Sequence, residues 1–273
     1  MNYREFVPPI VQRKLREWRR ARVPVFKSYE EALARSGEGY ADINLPEVVF
    51  EKTLRFIARS PRKEMDDSYV VNSLLAVSTG AALSPSRPLR VLDFGGALGT
   101  AYFLIREILP VTCKWAVVES PSFVAVGARL ETENLGFFSS IEEAAAWLGG
   151  VDLLHSSSTI QYVSAPEETI SALLATRPNC VAWLRTTFST ANRFVELQSS
   201  QLKGHGPGEL PQNVADRKIY VPRTYMPLDA FITAMEKDYD LVVRYGENDR
   251  YSSLAGTPTI LDDRFIYARR PSA

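Results

Sequence analysis

The chain has 273 residues, 45% hydrophobic and 23% charged, enough to bury one sizeable core or a core with a small appendage. Thirty-two basic residues balance 32 acidic ones, which excludes both the basic footprint of a general nucleic-acid binder and the acidic excess of a solvating tail. Charges run through the first 22 residues and nowhere do about 18 apolar residues follow one another, so a cytoplasmic protein without stable membrane association is expected.

In chain order, residues 3–22 read as a basic helix with Arg13, Lys14, Arg16, Arg19, Arg20 and Arg22. Its apolar face, Ile10, Leu15 and Trp18, is narrower than an in-plane membrane helix needs, and docking on the protein body suffices. Ser28 followed by Glu31 is a capping-box signature, so a short helix starts there and ends at the turn-rich Ser36-Gly37-Glu38-Gly39-Tyr40. Two further helices are expected over 45–59 and 67–83, separated by Ser60-Pro61-Arg62-Lys63 and closed by the breakers of 84–88.

After Pro88 the text alternates short β-rich runs at 89–94, 114–119, 151–154 and 180–184 with helical runs near 100–108, 122–134, 141–148 and 166–176. That rhythm predicts a doubly wound, mostly parallel α/β sheet. Residues 189–225 form a long connection of weak periodicity, expected to behave as a lid, with His205, Gln212, Asn213 and Tyr220 able to close over a ligand. A helix over 228–238 precedes two strands, 240–245 and 264–269, joined without a helix and therefore able to pair antiparallel at the sheet edge. The division expected is a helical N-terminal extension, 1–66, and a ligand-binding domain, 67–273. Cys113 and Cys180 sit in apolar runs without metal-ligand spacing and read as inert core thiols, and no metal site is expected.

Chemistry concentrates after the first of these strands, in Asp93-Phe94-Gly95-Gly96-Ala97-Leu98-Gly99-Thr100, which runs straight into a helical pattern. Glycines let the backbone turn sharply and approach a ligand with no side chain in the way. A dinucleotide turn would need glycine at 95, 97 and 100, but positions 97 and 100 hold Ala97 and Thr100, and the antiparallel tail also disfavours a nicotinamide oxidoreductase. The next strand ends in Glu119-Ser120, where an ionised carboxylate can accept both hydroxyls of a ribose.

An acid closing the strand, small residues at 95, 97 and 99, and the carboxylate at 119 together resemble the class I S-adenosylmethionine-dependent methyltransferases, with Ala97 in place of the middle glycine. The chain also resembles a narrower family of methyltransferases often encoded in bacterial surface-polysaccharide or secondary-metabolite gene clusters. That likeness runs through Tyr29-Glu30-Glu31-Ala32, Gly39-Tyr40, Leu92-Asp93-Phe94-Gly95-Gly96, Val118-Glu119, His155-Ser156-Ser157-Ser158 and Gln161-Tyr162. Arg185-Thr186-Thr187-Phe188 stands where such sequences tend to carry Arg followed closely by Pro. The resemblance implies a Rossmann-like sheet of seven strands, mostly parallel with an antiparallel final strand and helices on both faces, and S-adenosylmethionine as cofactor. Asp93, Gly95, Gly96, Ala97, Gly99, Glu119, Ser120, Ser139, Ser140 and His155 would bind it.

Methyl transfer from a sulfonium needs alignment of the acceptor and removal of its proton when necessary. His155, one of two histidines, is the candidate base, with Tyr162 beside it. Gln161, Arg185, Tyr40 and Tyr220 are candidate contacts to a small polar acceptor, Arg185 through an anionic group. A non-catalytic protein binding the same cofactor is the competing reading. A homodimer is compatible with either.

Overall fold

The computed structural model describes Val11 and residues 24–41, 44–59, 67–251 and 260–271. The rest of the basic segment 3–22 and the Ser60-Pro61-Arg62-Lys63 linker lie outside the described residues.

The first elements are β1 (Val25–Phe26), α1 (Tyr29–Leu33) and α2 (Leu45–Ala58). Ser28 caps α1 as its spacing predicts, its Oγ accepting the Glu31 N–H at 3.1 Å. Pro46 sits in the first turn of α2, where its missing N–H costs nothing. Next come α3 (Asp67–Leu83), β2 (Leu89–Phe94), α4 (Thr100–Ile108), β3 (Cys113–Val118), α5 (Pro121–Gly127), β4 (Leu135–Phe138), α6 (Ile141–Leu148) and β5 (Leu153–Ser157). The chain continues through α7 (Pro166–Ala175), β6 (Cys180–Ser189), β7 (Phe194–Gln201), β8 (Lys218–Pro227), α8 (Leu228–Met235), β9 (Tyr239–Tyr251) and β10 (Ile260–Arg269).

Seven strands lie in the order β4-β3-β2-β5-β6-β10-β9. The first five are parallel, and β10 runs antiparallel to both its neighbours. This is the Rossmann-like arrangement of the class I methyltransferases. The order reverses between β2 and β5, which opens a crevice at their carboxyl ends.

Helices cover both faces, and each face has its own core. Phe50 and Phe56 of α2, Val77 of α3 and Leu104 of α4 pack with Val91, Trp115 and Leu153 of the sheet. On the other face Leu148 of α6, Leu173 of α7 and Phe231 of α8 pack with Leu92, Leu154 and Trp183. A strand covered on both sides has to be apolar nearly throughout, and in β6 every residue but Arg185 is buried.

Three expectations are corrected. The helix expected over 122–134 ends with α5 and a 3-10 turn at Ala128–Leu130. Gly127 lies so tightly against Phe137 that an added Cβ would meet its ring at 2.5 Å, and residues 135–138 are already strand. The strand expected over 151–154 begins later and runs to Ser157, and the one over 180–184 continues to Ser189.

The connection 189–225 is not an irregular lid. It contains β7 and most of β8, an antiparallel pair from Phe194↔Tyr225 to Gln201↔Lys218, and β1 adds itself to β7. Where β5 stops opposite Leu184, β6 runs on, and Phe188 and Ser189 pair in parallel with Met226 and Pro227 of β8. The small sheet β1-β7-β8 therefore grows from the carboxyl edge of the main one.

Among the described residues no helix is long and apolar enough to cross a membrane. Cys113 and Cys180 are unpaired thiols, and burial pushes both up to about 12.

Candidate functional site

Between β2 and α4 the backbone turns through three left-handed residues, Gly95 (φ 72°), Ala97 (φ 49°) and Gly99 (φ 75°). A Cβ on Gly95 would fall 2.0 Å from the Thr159 side chain, and one on Gly96 would fall 2.2 Å from Asp93 Oδ2. Glycine is required at both by close approach. Ala97 carries its Cβ in the same left-handed region and turns its N–H to Glu119 Oε1 at 3.2 Å.

Glu119 follows β3 directly and also accepts the Ser120 N–H at 2.9 Å through Oε2. Enclosure raises its pKa to about 7, assisted by the charge of Asp93 and opposed by the two backbone N–H groups. Each carboxylate oxygen keeps lone pairs for further donors.

The bend and the acid open into one cavity of about 400 Å³. Phe94, Val118 and Phe123 give it apolar walls, Ser120 and Ser139 lie along it, and Ser158, Thr159, Tyr162 and Val163 line it after β5. Tyr40, Leu45, Val49, His205 and Gly206 also line it. A volume of this size falls within the range of small-molecule sites. A larger groove, about 750 Å³, runs between α7 and α8 and contains neither the bend nor the acid.

Beneath the bend lies a buried polar cluster. Asp93 accepts the Trp115 indole N–H at 3.0 Å, and His155 Nδ1 lies 2.7 Å from its other oxygen. Asp93 and His155 are each 1% exposed. A carboxylate so deeply placed needs such donors to remain in the core.

The small sheet backs the opposite wall. Alternate residues of β7 point to one face, and on that face Gln198 Oε1 accepts the Tyr162 hydroxyl at 2.7 Å while Ser200 Oγ lies 2.8 Å from His205 Nε2. Tyr40 packs edge-on to both rings, its centroid 5.7 Å from Tyr162 and 5.6 Å from His205. Tyr29 donates to the Tyr162 carbonyl at 2.6 Å.

Of the residues singled out for the cofactor, the structure gathers Gly95, Ala97, Glu119, Ser120 and Ser139 around the cavity. Gly96 and Gly99 shape the bend, Gly99 as the N-cap of α4, and Ser140 caps α6 through the Glu143 N–H at 3.1 Å. Tyr40, a candidate acceptor contact, and Tyr162, a candidate catalytic residue, line the cavity.

Five positions differ. Asp93, expected to bind the cofactor, lies buried under the cavity and holds Trp115 and His155 instead. His155 lies there too, shut from the cavity and held by Asp93, so it is not placed to take a proton from an acceptor. Gln161 is buried and spends its amide on Ser158 Oγ and the Arg185 carbonyl. Arg185, itself left-handed at φ 50°, donates to Ser157 Oγ and lies over the Tyr69 ring instead of facing an anion. Tyr220 projects from β8 toward solvent.

The sequence offered little signal for Thr159, Leu45, Val49, Phe123 or Gly206. Their roles come from helices and turns far apart in the chain that meet only in the fold.

Neither a family model nor a curated protein matches the chain. Solved structures resemble it at low identity. The N-terminal domain of EvdMO1 with SAH bound is 14% identical, covering 76% of this chain and 83% of that one, with a TM-score of 0.45. CalS10, an amino pentose methyltransferase from Micromonospora echinaspora, is 13% identical, covering 75% and 92%, with a TM-score of 0.45. The sugar N-methyltransferase KedS8 from a Streptoalloteichus species is also 13% identical, covering 82% and 93%, with a TM-score of 0.45.

Proposed function

We propose that the chain is an S-adenosylmethionine-dependent methyltransferase acting on an O or N of a small polar molecule, such as a sugar or natural-product intermediate. The observation that carries the reading is the Glu119 carboxylate opening into the same cavity as the Gly95–Ala97 bend, at the point where strand order reverses.

The residues present fit the cofactor. Glu119 is held by two backbone N–H groups in an orientation that leaves lone pairs for two ribose hydroxyls. Phe94, Val118 and Phe123 offer apolar surface to a nucleoside, and Ser139 a polar contact. When bound, S-adenosylmethionine supplies an already activated sulfonium methyl. The protein then has to align an acceptor along the line of displacement and keep water out. Tyr162, fixed by Gln198 and by Tyr29, stands where it can hydrogen-bond that acceptor. Asp93 and His155 act from below, bracing the strand ends that carry the bend.

The test is calorimetry with S-adenosylhomocysteine, followed by incubation with methyl-labelled S-adenosylmethionine and a set of small hydroxylated and amino compounds. Binding that weakens about 10- to 100-fold in Glu119→Ala is expected, the worth of a charged hydrogen-bond pair. Binding unchanged in that variant, or absent in the wild type, overturns the reading. Binding without transfer to any compound favours a non-catalytic cofactor-binding protein.

A further inference from the structure

The cavity wall opposite the bend carries a histidine with no part in holding Glu119 or shaping the bend. His205 sits between Tyr40 and Ser200, its Nε2 engaged by the Ser200 hydroxyl at 2.8 Å. Its Nδ1 has no hydrogen-bond partner among the described residues.

The turn that carries it is fixed from behind. Lys52, 1% exposed on α2, donates Nζ to the carbonyls of Lys203 and His205. Gly206, at φ 71°, packs so closely on Val49 that a Cβ there would lie 2.9 Å away. A buried lysine spent on two carbonyls beside a ligand cavity makes sense as a mount for the imidazole between them.

The charges facing the cavity restrict what can enter. None of its lining residues among those described is Lys or Arg, and one is the carboxylate of Glu119. Arg185 is spent on Ser157, and Arg223 is paired with Glu196 at 2.7 Å. A phosphate or carboxylate brought in would lose its water with no cation among the described lining residues to replace it.

We propose that His205, through Nδ1, takes the proton from an acceptor that carries no anionic group at the reacting end, an uncharged hydroxyl compound or an amine. The assignment rests on the methyl-transfer reading. As the acceptor O or N forms its bond to the methyl carbon, the carbon–sulfur bond breaks with its electron pair going to sulfur, and the acceptor proton passes to Nδ1. Ser200 is a positioning residue, accepting from Nε2–H and so leaving the lone pair on Nδ1.

The titratable and charged groups around the ring are Tyr40 from a 3-10 turn at Gly39–Ala41 and Lys52 from α2, with Lys203 just before His205 and Asp216 paired to it at 3.4 Å. Burial, and then the Lys52 charge, hold the imidazole below its ordinary pKa, which keeps it neutral and able to accept.

The test compares wild type, His205→Gln and Ser200→Ala, with S-adenosylhomocysteine affinity as the control for folding and donor binding. Labelled transfer is measured to neutral hexoses and amino sugars and to their phosphorylated and carboxylated counterparts. Donor affinity within about threefold of wild type is expected in both variants, with kcat lowered about 10²- to 10⁴-fold in His205→Gln. At saturating donor, the wild-type rate should rise with pH through a value below 6.5, and His205→Gln should lose that limb.

Because the chain has only two histidines, ring NMR resolves them, and the wild type should show the Nε2–H tautomer for His205 where Ser200→Ala shows a mixture. Transfer at the wild-type rate by His205→Gln, transfer only to anionic compounds, or transfer to none of the panel overturns the proposal while leaving donor binding intact. Failure of the wild type to bind the donor product overturns the methyl-transfer reading, and the proposal with it.

Discussion

Ala97 is the residue at which this chain departs from the glycine pattern its bend resembles, and it holds φ 49°. A Cβ there costs about 1–2 kcal/mol relative to the right-handed region, whereas glycine would spend some of that relief on a freer unfolded chain. Ala97→Gly is therefore expected to raise stability by about 0.5–1 kcal/mol in denaturant unfolding, and a loss of stability would mean that the φ angle carries no strain. Glu119 makes a different prediction. Its folded pKa, near 7, lies above the ordinary carboxylate value, so between about 4.5 and 7 the free protein binds more protons than the unfolded chain, and this group's contribution to stability falls as pH rises through that window. Two ribose hydroxyls donating together, one to each oxygen, favour the ionised form, so donor binding expels the proton. Affinity for S-adenosylhomocysteine should then rise by up to about tenfold between pH 6 and 8, with proton release in calorimetry, and Glu119→Gln should bind weakly with little of that pH dependence.

Among the elements, those governed by local chemistry were legible in the sequence. The Ser28 cap, the strand 89–94 with Asp93 next to its end, the helix 100–108 behind Gly99 and the antiparallel finish each follow from neighbours in the chain. The β7–β8 pair was not, because its period-2 row of Glu196, Gln198 and Ser200 is polar on the face that holds Arg223, Tyr162 and His205. Strand reading depends on an apolar face, and here that face is polar because it anchors other side chains by hydrogen bonds. His155 misled for the complementary reason. A histidine at a strand end reads as a base, yet the register of β5 with β2 places it opposite Asp93, inside the core. Glu196 tests how the small sheet is held. It accepts from Arg223 and from the Tyr225 hydroxyl, and Arg223 is largely enclosed. Glu196→Ala leaves that guanidinium uncompensated and should cost about 3–5 kcal/mol in chemical unfolding. Glu196→Gln, which keeps an acceptor, should cost less, and equal losses would show that packing and not charge pairing holds β7 to β8.

At the scale of the whole molecule, the cavity is assembled from the ends of the sheet strands and two outer stretches of chain. The carboxyl ends of β2, β3 and β5 provide the donor side, while Tyr40, Leu45 and Val49 from the N-terminal elements and His205 with Gly206 from the β7–β8 connection provide the other. Neither of these outer stretches has a motif of its own, and the pairing of β1 with β7, the packing of α1 on β7 and β8 and of α2 against α5, and the Lys52 bonds to the Lys203 and His205 carbonyls bring them over the sheet edge. A ligand filling the space between them stabilises every stretch it touches, because it binds the assembled arrangement and not the opened one. At a hundredfold excess over its dissociation constant, S-adenosylhomocysteine adds about 2.7 kcal/mol to global stability and the same to any local opening that destroys the site. Hydrogen exchange should therefore slow around Tyr40, in the first turns of α2 and around Gly206, as well as along 95–99 and at Glu119, with little change in the helices α7 and α8. Protection confined to the sheet edge would mean that the donor meets only the strands, and that the N-terminal wall and the β7–β8 connection close on the acceptor alone.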